Sequence, residues 1–405
     1  MDSTDLKDLS VIIVGAGLGG VMLGLLLEKL GISYTIFERA KTVKPLGPVT
    51  THFFSRELDS TTSCFRRSHP IRYSVGKKVL SVEETEDHAL INCSDGTRYF
   101  GDIVVGADGA YSGVRQSLYK KLQSEGQLPN SDTVSMNVGF VCTVGTTNPM
   151  DPEKIPLLKD GTTKFCQYRM TTVNSYRICW TLSKQHINDG EGNDLAFRNS
   201  EWAPETVETS LKEFYNLPCP FGGTMKDIID ATPRELVSKV FLEEKLFETW
   251  HHGRVVLLGD ACHKMLPAAG QGAMNAMQDA VILANCLYDL KSTRQADIKS
   301  AFSVYHEQRY PFAKAQVESS RLAAKLTCDQ GMFERFLRQI LFVWLPESVR
   351  RQNLLKTASY RPQVCFLPYV QNRGQGPVMP QKRSWRREKE LEDQRQGETT
   401  QSASP

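Results

Sequence analysis

The stretch VIIVGAGLGG, residues 11–20, places an apolar run directly before Gly15, Gly17 and Gly20 in GxGxxG spacing. A short β-branched run is typical of a buried strand, and the apolar residues that continue to Leu30 recur at helical spacing. In such a strand–turn–helix unit the first glycine makes the tight turn, the second lets the backbone approach a pyrophosphate, and the third lets helix and strand pack closely. The stretch therefore predicts an α/β fold that binds a dinucleotide.

A second strand, Tyr34–Phe37, follows the helix and ends at Glu38. A carboxylate at this place can accept hydrogen bonds from the ribose hydroxyls of an adenosine. Glycine spacing alone is a weak signal, since any tight turn uses glycine. The strand, the helix and the acid around it make the nucleotide interpretation much the stronger one.

The segment GDIVVGADGAYSGVR, residues 101–115, contains a predicted buried strand that runs into Asp108 and Gly109. Asp-Gly is also a common turn pair, so a simple turn remains an alternative for this segment taken alone. Ser112 and Arg115 follow at helical spacing. We expect Arg115 to meet a phosphate or a carboxylate, because its planar guanidinium matches both.

A third segment, residues 253–287, begins GRVVLLGDACHKMLPAAGQG. Asp260 follows a predicted buried strand, at a place where a carboxylate can bind a ligand hydroxyl. Pro267 stiffens the loop, and the glycines at 270 and 272 open a long helix whose N-terminus favours negative charge. His263 is interpreted as structural rather than catalytic, because no second ligand or catalytic partner lies in range in the sequence.

The three segments together resemble the fingerprint of the FAD-dependent aromatic hydroxylases. That fingerprint has GxGxxG near the N-terminus, then GADGxxSxVR, then GDAxHxxxPxxGQGxNxAxxDAxxLA. Segments of this kind occur in order here, with Met274 at the position of the asparagine in the third pattern. The third segment and the later YRPQVCFLP resemble fungal members of the family, many of which act in secondary metabolism. The likeness covers roughly residues 9–50 and 73–370.

This resemblance implies an FAD site, with NAD(P)H as co-substrate and oxygen transfer from O₂ to an electron-rich ring or alkene of a small molecule. Glu38 would hold the adenosine ribose, Asp260 the ribityl chain, and the Pro267 loop the isoalloxazine. The family links the positions of Asp108 and Arg115 to FAD binding and to NAD(P)H handling. The cofactor-binding residues implied are Gly15, Gly17, Gly20, Glu38, Arg56, Asp108, Arg115, Asp260, Pro267, Gly270, Gly272 and Ala273.

One departure from the family lies between Glu38 and Asp108, where its members carry a longer insert. Here KPLGPVT passes abruptly to FSRELDS, and the pattern stays irregular to Pro70. Arg56 is the best match for an arginine that the family places over the flavin. We expect the shortened segment to weaken FAD binding and turnover.

The predicted fold is α/β, with a Rossmann-like FAD-binding domain, a mixed β-sheet substrate domain and a helical C-terminal region. Tyr168 and Arg177 are candidate catalytic residues, and Trp180 is a further candidate for the pocket. Alternation along a strand leaves open which face each one takes. The predicted ranges are 1–125 and 251–290 for the FAD domain, 126–250 for the substrate domain, 291–370 for the C-terminal helices and 371–405 for a disordered tail.

Composition excludes little beyond disorder and fibres. A net charge of +3 in 405 residues, with 40% hydrophobic residues, gives no argument for a nucleic-acid partner. Ten cysteines without a CxxC pair are interpreted as reduced thiols. No transmembrane segment or signal peptide is predicted, so we expect a cytoplasmic protein.

Three functions remain open at this point. The leading one is a flavin monooxygenase that hydroxylates or epoxidises. A flavoprotein reductase or oxidase would use the same nucleotide fold without inserting oxygen. A flavin-binding protein disabled by the shortened segment would not be an enzyme. Neither the substrate nor the oligomeric state follows from the sequence.

Overall fold

A computed structural model provides the structure of the chain. It describes residues 8–41, 72–160, 163–165, 168–173, 176–185, 204–328, 336, 340, 344, 346–371, 374 and 376–402. Arg56 and the rest of the irregular segment lie outside the described residues.

The nucleotide domain is built on a six-stranded sheet in the order β13-β14-β7-β1-β2-β3. All neighbours are parallel except the edge pair β13 and β14. Helix α1 (Leu18–Leu30) crosses from β1 to β2 and confirms the predicted βαβ unit. The strands are β1 (Ser10–Val14), β2 (Ser33–Glu38), β3 (Tyr73–Val75), β7 (Ile103–Gly106), β13 (His251–His252) and β14 (Val255–Leu257).

This strand order brings the three motif segments together. β1 lies between β2 and β7, and β14 lies on the other side of β7. Because the carboxyl ends of parallel strands meet at one edge, the turns after β1, β7 and β14 converge there. A ligand bound at that edge contacts all three segments.

The substrate domain contains a second six-stranded sheet, in the order β15-β12-β8-β11-β10-β9. Every described pair in it is antiparallel, so the expected mixed sheet is wrong in this respect. The short strand β15 comes from the third motif segment and joins that segment to the substrate sheet. The strands are β8 (Asn137–Thr146), β9 (Thr163–Phe165), β10 (Tyr168–Val173), β11 (Arg177–Gln185), β12 (Ser238–Leu246) and β15 (His263–Lys264).

A three-stranded antiparallel sheet lies between β3 and β7 along the chain. Its strands are β4 (Val79–Glu84), β5 (Ala89–Cys93) and β6 (Arg98–Gly101).

The third segment ends in a long helix, α6 (Gly272–Tyr288), which packs along α1, and a second long helix, α7 (Gln295–Cys328), follows it. No helix among the described residues is long and apolar enough to span a membrane. The described helices after α1 are α2 (Gly113–Ser124), α3 (Asn130–Thr133), α4 (Pro204–Lys212), α5 (Met225–Asp230), α6 (Gly272–Tyr288), α7 (Gln295–Cys328), α8 (Glu347–Thr357) and α9 (Trp385–Ser402).

The C-terminal tail, expected to be disordered, instead forms α9 and attaches to the end of α6. Ser384 Oγ donates to Asp289 Oδ1 at 2.5 Å, and Trp385 Nε1 donates to the Asp289 carbonyl at 2.9 Å. Arg386 donates to the Leu290 carbonyl at 2.8 Å. The polar composition gave no sign of this order, because the attachment uses carbonyls left over at a helix C-terminus rather than buried apolar area.

The main hydrophobic core lies between the nucleotide sheet and the helices packed on it. A smaller core lies under the substrate sheet and includes Trp180 and Ile228. Seven cysteines in the described regions are buried thiols, as the sequence predicted.

Candidate cofactor site

Two glycines of the first motif are required by the protein's own packing. Gly15 has φ +106°, and a Cβ there would lie 2.4 Å from the Ala107 carbonyl oxygen. A Cβ on Gly20 would lie 2.1 Å from the Gly15 carbonyl oxygen. Both contacts are too close for any side chain. Gly15 thus lets the first and second motif segments meet in backbone contact, and Gly20 lets α1 pack against the turn at Gly15.

Gly17 differs, because the protein leaves room beside it. It is the N-cap of α1 with φ −70° and ψ 176°, and the nearest atom to an added Cβ is 3.9 Å away. No side chain caps the helix, and its first turn has no acid. Unpaired N–H groups and open space at a helix start suit a pyrophosphate. The residues present therefore fit a dinucleotide.

Glu38 lies against the same turn. Its Oε2 accepts from Ala16 N at 2.9 Å, and its Oε1 accepts from Ala40 N at 2.8 Å. Each oxygen keeps a further lone pair for a ligand hydroxyl. The carboxylate thus holds the glycine turn in shape at the place where the sequence predicted a ribose contact.

Asp108 closes the turn of the second motif. Its Oδ2 accepts from Gly113 N at 2.7 Å and from Val114 N at 3.2 Å, at the start of α2. Its Oδ1 is buried without a hydrogen-bond partner. Burial raises the pKa of this carboxyl. An unsatisfied buried oxygen next to the Gly15 turn is a place where a ligand donor would be stabilised.

Arg115 lies between the second and third motif segments. Its side chain is buried, and it donates to the Ala261 carbonyl at 2.7 Å and to the Ala110 carbonyl at 2.6 Å. The guanidinium also lies 4.1 Å from the centre of the Phe247 ring. Arg115 therefore ties the second motif to the third through two carbonyls and an aromatic face, and its contact with a ligand stays a prediction.

Asp260 follows Gly259, which has φ +64°. Its Oδ2 accepts from Lys264 Nζ at 2.6 Å, and both side chains are partly exposed. The sequence did not predict this ion pair. The carboxylate remains partly exposed after this pairing.

The loop before α6 is open on one side. Pro267 and Gly270 are exposed, and Gly270 has φ +65°. Like α1, α6 has no side-chain cap and no acid in its first turn. An added Cβ on Gly272 would meet nothing nearer than 3.9 Å, and Ala273 is only partly buried. This second open helix start suits the polar edge of a flavin.

The two helix starts lie side by side. A Cβ on Gly19, in the first turn of α1, would lie 3.2 Å from the Ala276 carbonyl oxygen of α6 and 2.5 Å from Leu258 Cδ1. One extended ligand can therefore contact both starts.

The structure places the three candidate substrate residues in different surroundings. Trp180 is fully buried, and its Nε1 donates to Thr232 Oγ1 at 2.9 Å, so it belongs to the core and not to a pocket. The backbone of Tyr168 pairs with Leu182, but its side chain lies outside the described part of the chain. Arg177 is half-buried at the start of β11, and nothing in its surroundings tests a catalytic role.

Sequence reasoning missed the acids that are buried deepest. Asp279 is fully buried in α6 and bonds to His263 and Arg309. Glu243 and Glu244 are both buried at a bulge in β12, where Glu243 accepts from the Tyr111 hydroxyl. An acid inside an apolar helix such as α6 was the available signal, since a buried carboxylate needs partners.

Comparison with known proteins identifies the cofactor class. A family model described as an FAD binding domain matches residues 8–51 and 224–320, which include the first and third motifs. The FAD-dependent monooxygenase ptmM of Penicillium ochrochloron is 31% identical over 63% of this chain and 61% of its own length. The FAD-dependent monooxygenase paxM of Penicillium paxilli is 29% identical over 78% of this chain and 67% of its own.

The chain is similar to fungal members of the FAD-dependent monooxygenase family, and it contains the segments that an FAD binding domain model matches. It spans 55% and 61% of the length of two of the curated relatives it matches, so the activity of the whole protein is treated as a proposal below.

Solved structures agree with this family on the fold. Klebsiella pneumoniae HpxO, in complex with FAD and uric acid, superposes with a TM-score of 0.64 at 18% identity, over 86% of this chain and 96% of its own. The 2,6-dihydroxypyridine-3-hydroxylase of Arthrobacter nicotinovorans gives 0.62 at 17% identity, over 82% and 95%. At this identity the likeness concerns the fold alone.

Proposed function

We propose that this protein is an FAD-dependent monooxygenase. It uses NAD(P)H and O₂ to hydroxylate or epoxidise an electron-rich aromatic or alkene small molecule, in fungal secondary metabolism. FAD, once bound, supplies the redox chemistry: it takes electrons from NAD(P)H and activates O₂. The observation that carries the proposal is the pair of adjacent open helix starts at Gly17 and Gly272.

The chain's own residues bind and orient. The N–H groups at the start of α1 neutralise the pyrophosphate, and Glu38 faces the ribose beside that turn. Asp260 meets the ribityl chain. The start of α6 places a positive partial charge near the flavin ring, where negative charge develops on reduction.

Gly17→Ala tests the cofactor site with little risk to folding. The backbone angles of Gly17 are ordinary for alanine, and the protein leaves space for the methyl group. The methyl group would instead block the approach of a pyrophosphate. We expect a melting temperature within a few degrees of wild type and FAD affinity lowered at least tenfold.

Gly139→Ala is the matched control. Gly139 also has open space around its Cβ position, but it lies in the substrate sheet, and we expect its FAD affinity to match wild type. Equal FAD affinity in wild type and Gly17→Ala would contradict the site.

The reaction class needs a separate measurement. NADPH-dependent oxygen uptake in step with an oxygenated product distinguishes a monooxygenase from a reductase or oxidase. Bound flavin without NAD(P)H oxidation, across a panel of electron-rich aromatics and alkenes, would favour a disabled flavin-binding protein.

A further inference from the structure

Three buried side chains form an ion cluster behind the cofactor site. They are His263, Asp279 and Arg309, each 0% exposed. His263 Nε2 and Asp279 Oδ2 lie 2.6 Å apart, and Arg309 Nε donates to Asp279 Oδ1 at 2.6 Å. A buried ion pair contributes little net stability after desolvation. What such a cluster does well is fix the positions of the groups bonded to it.

The first group that the ion cluster fixes is the turn carrying Asp260. Asp279 Oδ2 also accepts from Gly259 N at 2.8 Å. Asp279 thus holds the residue before Asp260 and, through His263, the residue three positions after it. Gly259 has φ +64°, and an added Cβ would lie 3.1 Å from Ala276 Cβ, so the turn has little room to shift.

The second group is the start of α6. Arg309 Nη2 donates to Asn275 Oδ1 at 3.0 Å and to its carbonyl at 3.3 Å. Asn275 Nδ2 in turn donates to the carbonyl of Gln271, the N-cap, at 3.0 Å. The ion cluster therefore reaches both segments expected to face the flavin.

A metal ion is the alternative, since ligand atoms of Cys262, His263 and Asp279 lie within 4.8 Å of one another. Arg309 opposes it, because its positive charge lies against the same carboxylate. Burial disfavours the ionised carboxyl, yet His263 and Arg309 hold the pKa of Asp279 below its ordinary value. His263, Arg309 and Gly259 N already occupy both of its oxygens.

We propose that Asp279 is a positioning residue of the flavin site, which sets the places of Asp260 and of the α6 N-terminus through Gly259, His263 and Arg309. The proposal rests on the proposed function, since it concerns the binding of FAD.

The test measures FAD affinity and the visible circular dichroism of bound FAD, both independent of turnover. In Asp279→Asn, an amide N–H group would face a cationic or N–H partner, so we expect the FAD dissociation constant to rise at least tenfold and the flavin signal to change. Asp289→Asn is the matched control, because Asp289 lies at the far end of the same helix and bonds to the tail. We expect both readouts to match wild type there.

A second pair of variants decides the matter if Asp279→Asn does not fold. His263→Gln keeps an N–H donor for Asp279, whereas His263→Leu removes it. We expect the FAD dissociation constant of the glutamine variant to lie within threefold of the wild-type value, with an unchanged flavin signal. We expect the FAD affinity of the leucine variant to fall tenfold or more.

The outcomes separate the two proposals. A wild-type protein that binds no FAD would overturn the proposed function, and the role of Asp279 with it. FAD binding by wild type, together with unchanged affinity and flavin signal in folded Asp279→Asn or in His263→Leu, would overturn only the positioning role and leave the ion cluster as core structure.

Discussion

Asp260 lies just after β14, at the edge of the sheet where the three motif turns meet. It pairs with Lys264 at 2.6 Å but stays partly exposed. We expect Asp260→Ala to weaken FAD binding by about 1–3 kcal/mol, because a hydrogen bond to a charged acceptor is lost. The measurement is an FAD titration followed by flavin fluorescence.

Lys264→Met is the matched variant for Asp260. It removes the same ion pair but leaves the carboxylate, so we expect wild-type FAD affinity or tighter. Equal losses in the two variants would show that Asp260 acts only by holding Lys264.

The roles of some residues were predictable from the sequence, and those of others were not. Gly15 and Gly20 were predictable, because backbone contact at a tight turn admits no other residue. Arg115 was not, since spacing places a side chain on a helix but does not say whether its guanidinium turns to a ligand or back to carbonyls. Asp279 and Arg309 are 30 residues apart, and only the packing of α6 on α7 joins them.

At the scale of elements, Arg115 joins α2 to the third motif. Arg115→Met leaves the carbonyls of Ala110 and Ala261 without their donor, which costs about 1–3 kcal/mol for each buried group. We expect a loss of about 2–4 kcal/mol in the free energy of unfolding, measured by urea denaturation. Lys120→Met, an exposed position on the same helix, should change it by less than about 0.5 kcal/mol. Similar values for the two variants would contradict this tie.

Elements with a clear period were predictable, and others were not. β1, α1 and β2 follow from an apolar run, a 3.6-residue period and turn glycines. No periodic pattern in the sequence predicts the bulge between Leu242 and Glu243, where two consecutive glutamates are buried. The attachment of α9 depends on hydrogen bonds to the end of α6, which no local sequence pattern predicts.

At the scale of the whole molecule, two half-buried histidines, His251 on β13 and His306 on α7, make stability depend on pH. Burial lowers the pKa of His251 to about 4, with help from His306, His252 and Lys299, and burial also lowers that of His306. An unfolded histidine has a pKa of about 6.5. On acidification the unfolded chain takes up protons first, so stability present above pH 6.5 is lost as pH falls towards 4.

His251→Phe tests this dependence. We expect the free energy of unfolding to fall less between pH 7 and pH 5 than in wild type, a window in which most carboxylates stay ionised. Glu84, which lies beside His252, should stay ionised in this window, because Lys121 and the Arg254 N–H hold its pKa below the ordinary value despite its burial. His88→Phe, at a turn of the small sheet, should leave the slope unchanged. If the free energy of unfolding fell equally with pH in wild type and in His251→Phe, His251 would not be a source of the pH dependence.

The shortened segment between Glu38 and Asp108 bears on coupling of the whole enzyme. A monooxygenase must exclude water from the flavin, because site closure is what prevents wasteful side reactions. The resemblance predicts a longer insert here, and we therefore expect weak FAD retention and NAD(P)H oxidation that releases H₂O₂. The ratio of H₂O₂ released to NADPH consumed measures this uncoupling.

Inserting a family-length segment should lower that ratio and tighten FAD binding, whereas an insertion of equal length at the turn of Gly126 should do neither. Tight FAD binding with fully coupled turnover in the chain as it stands would show that Arg56 or a neighbour already closes the site.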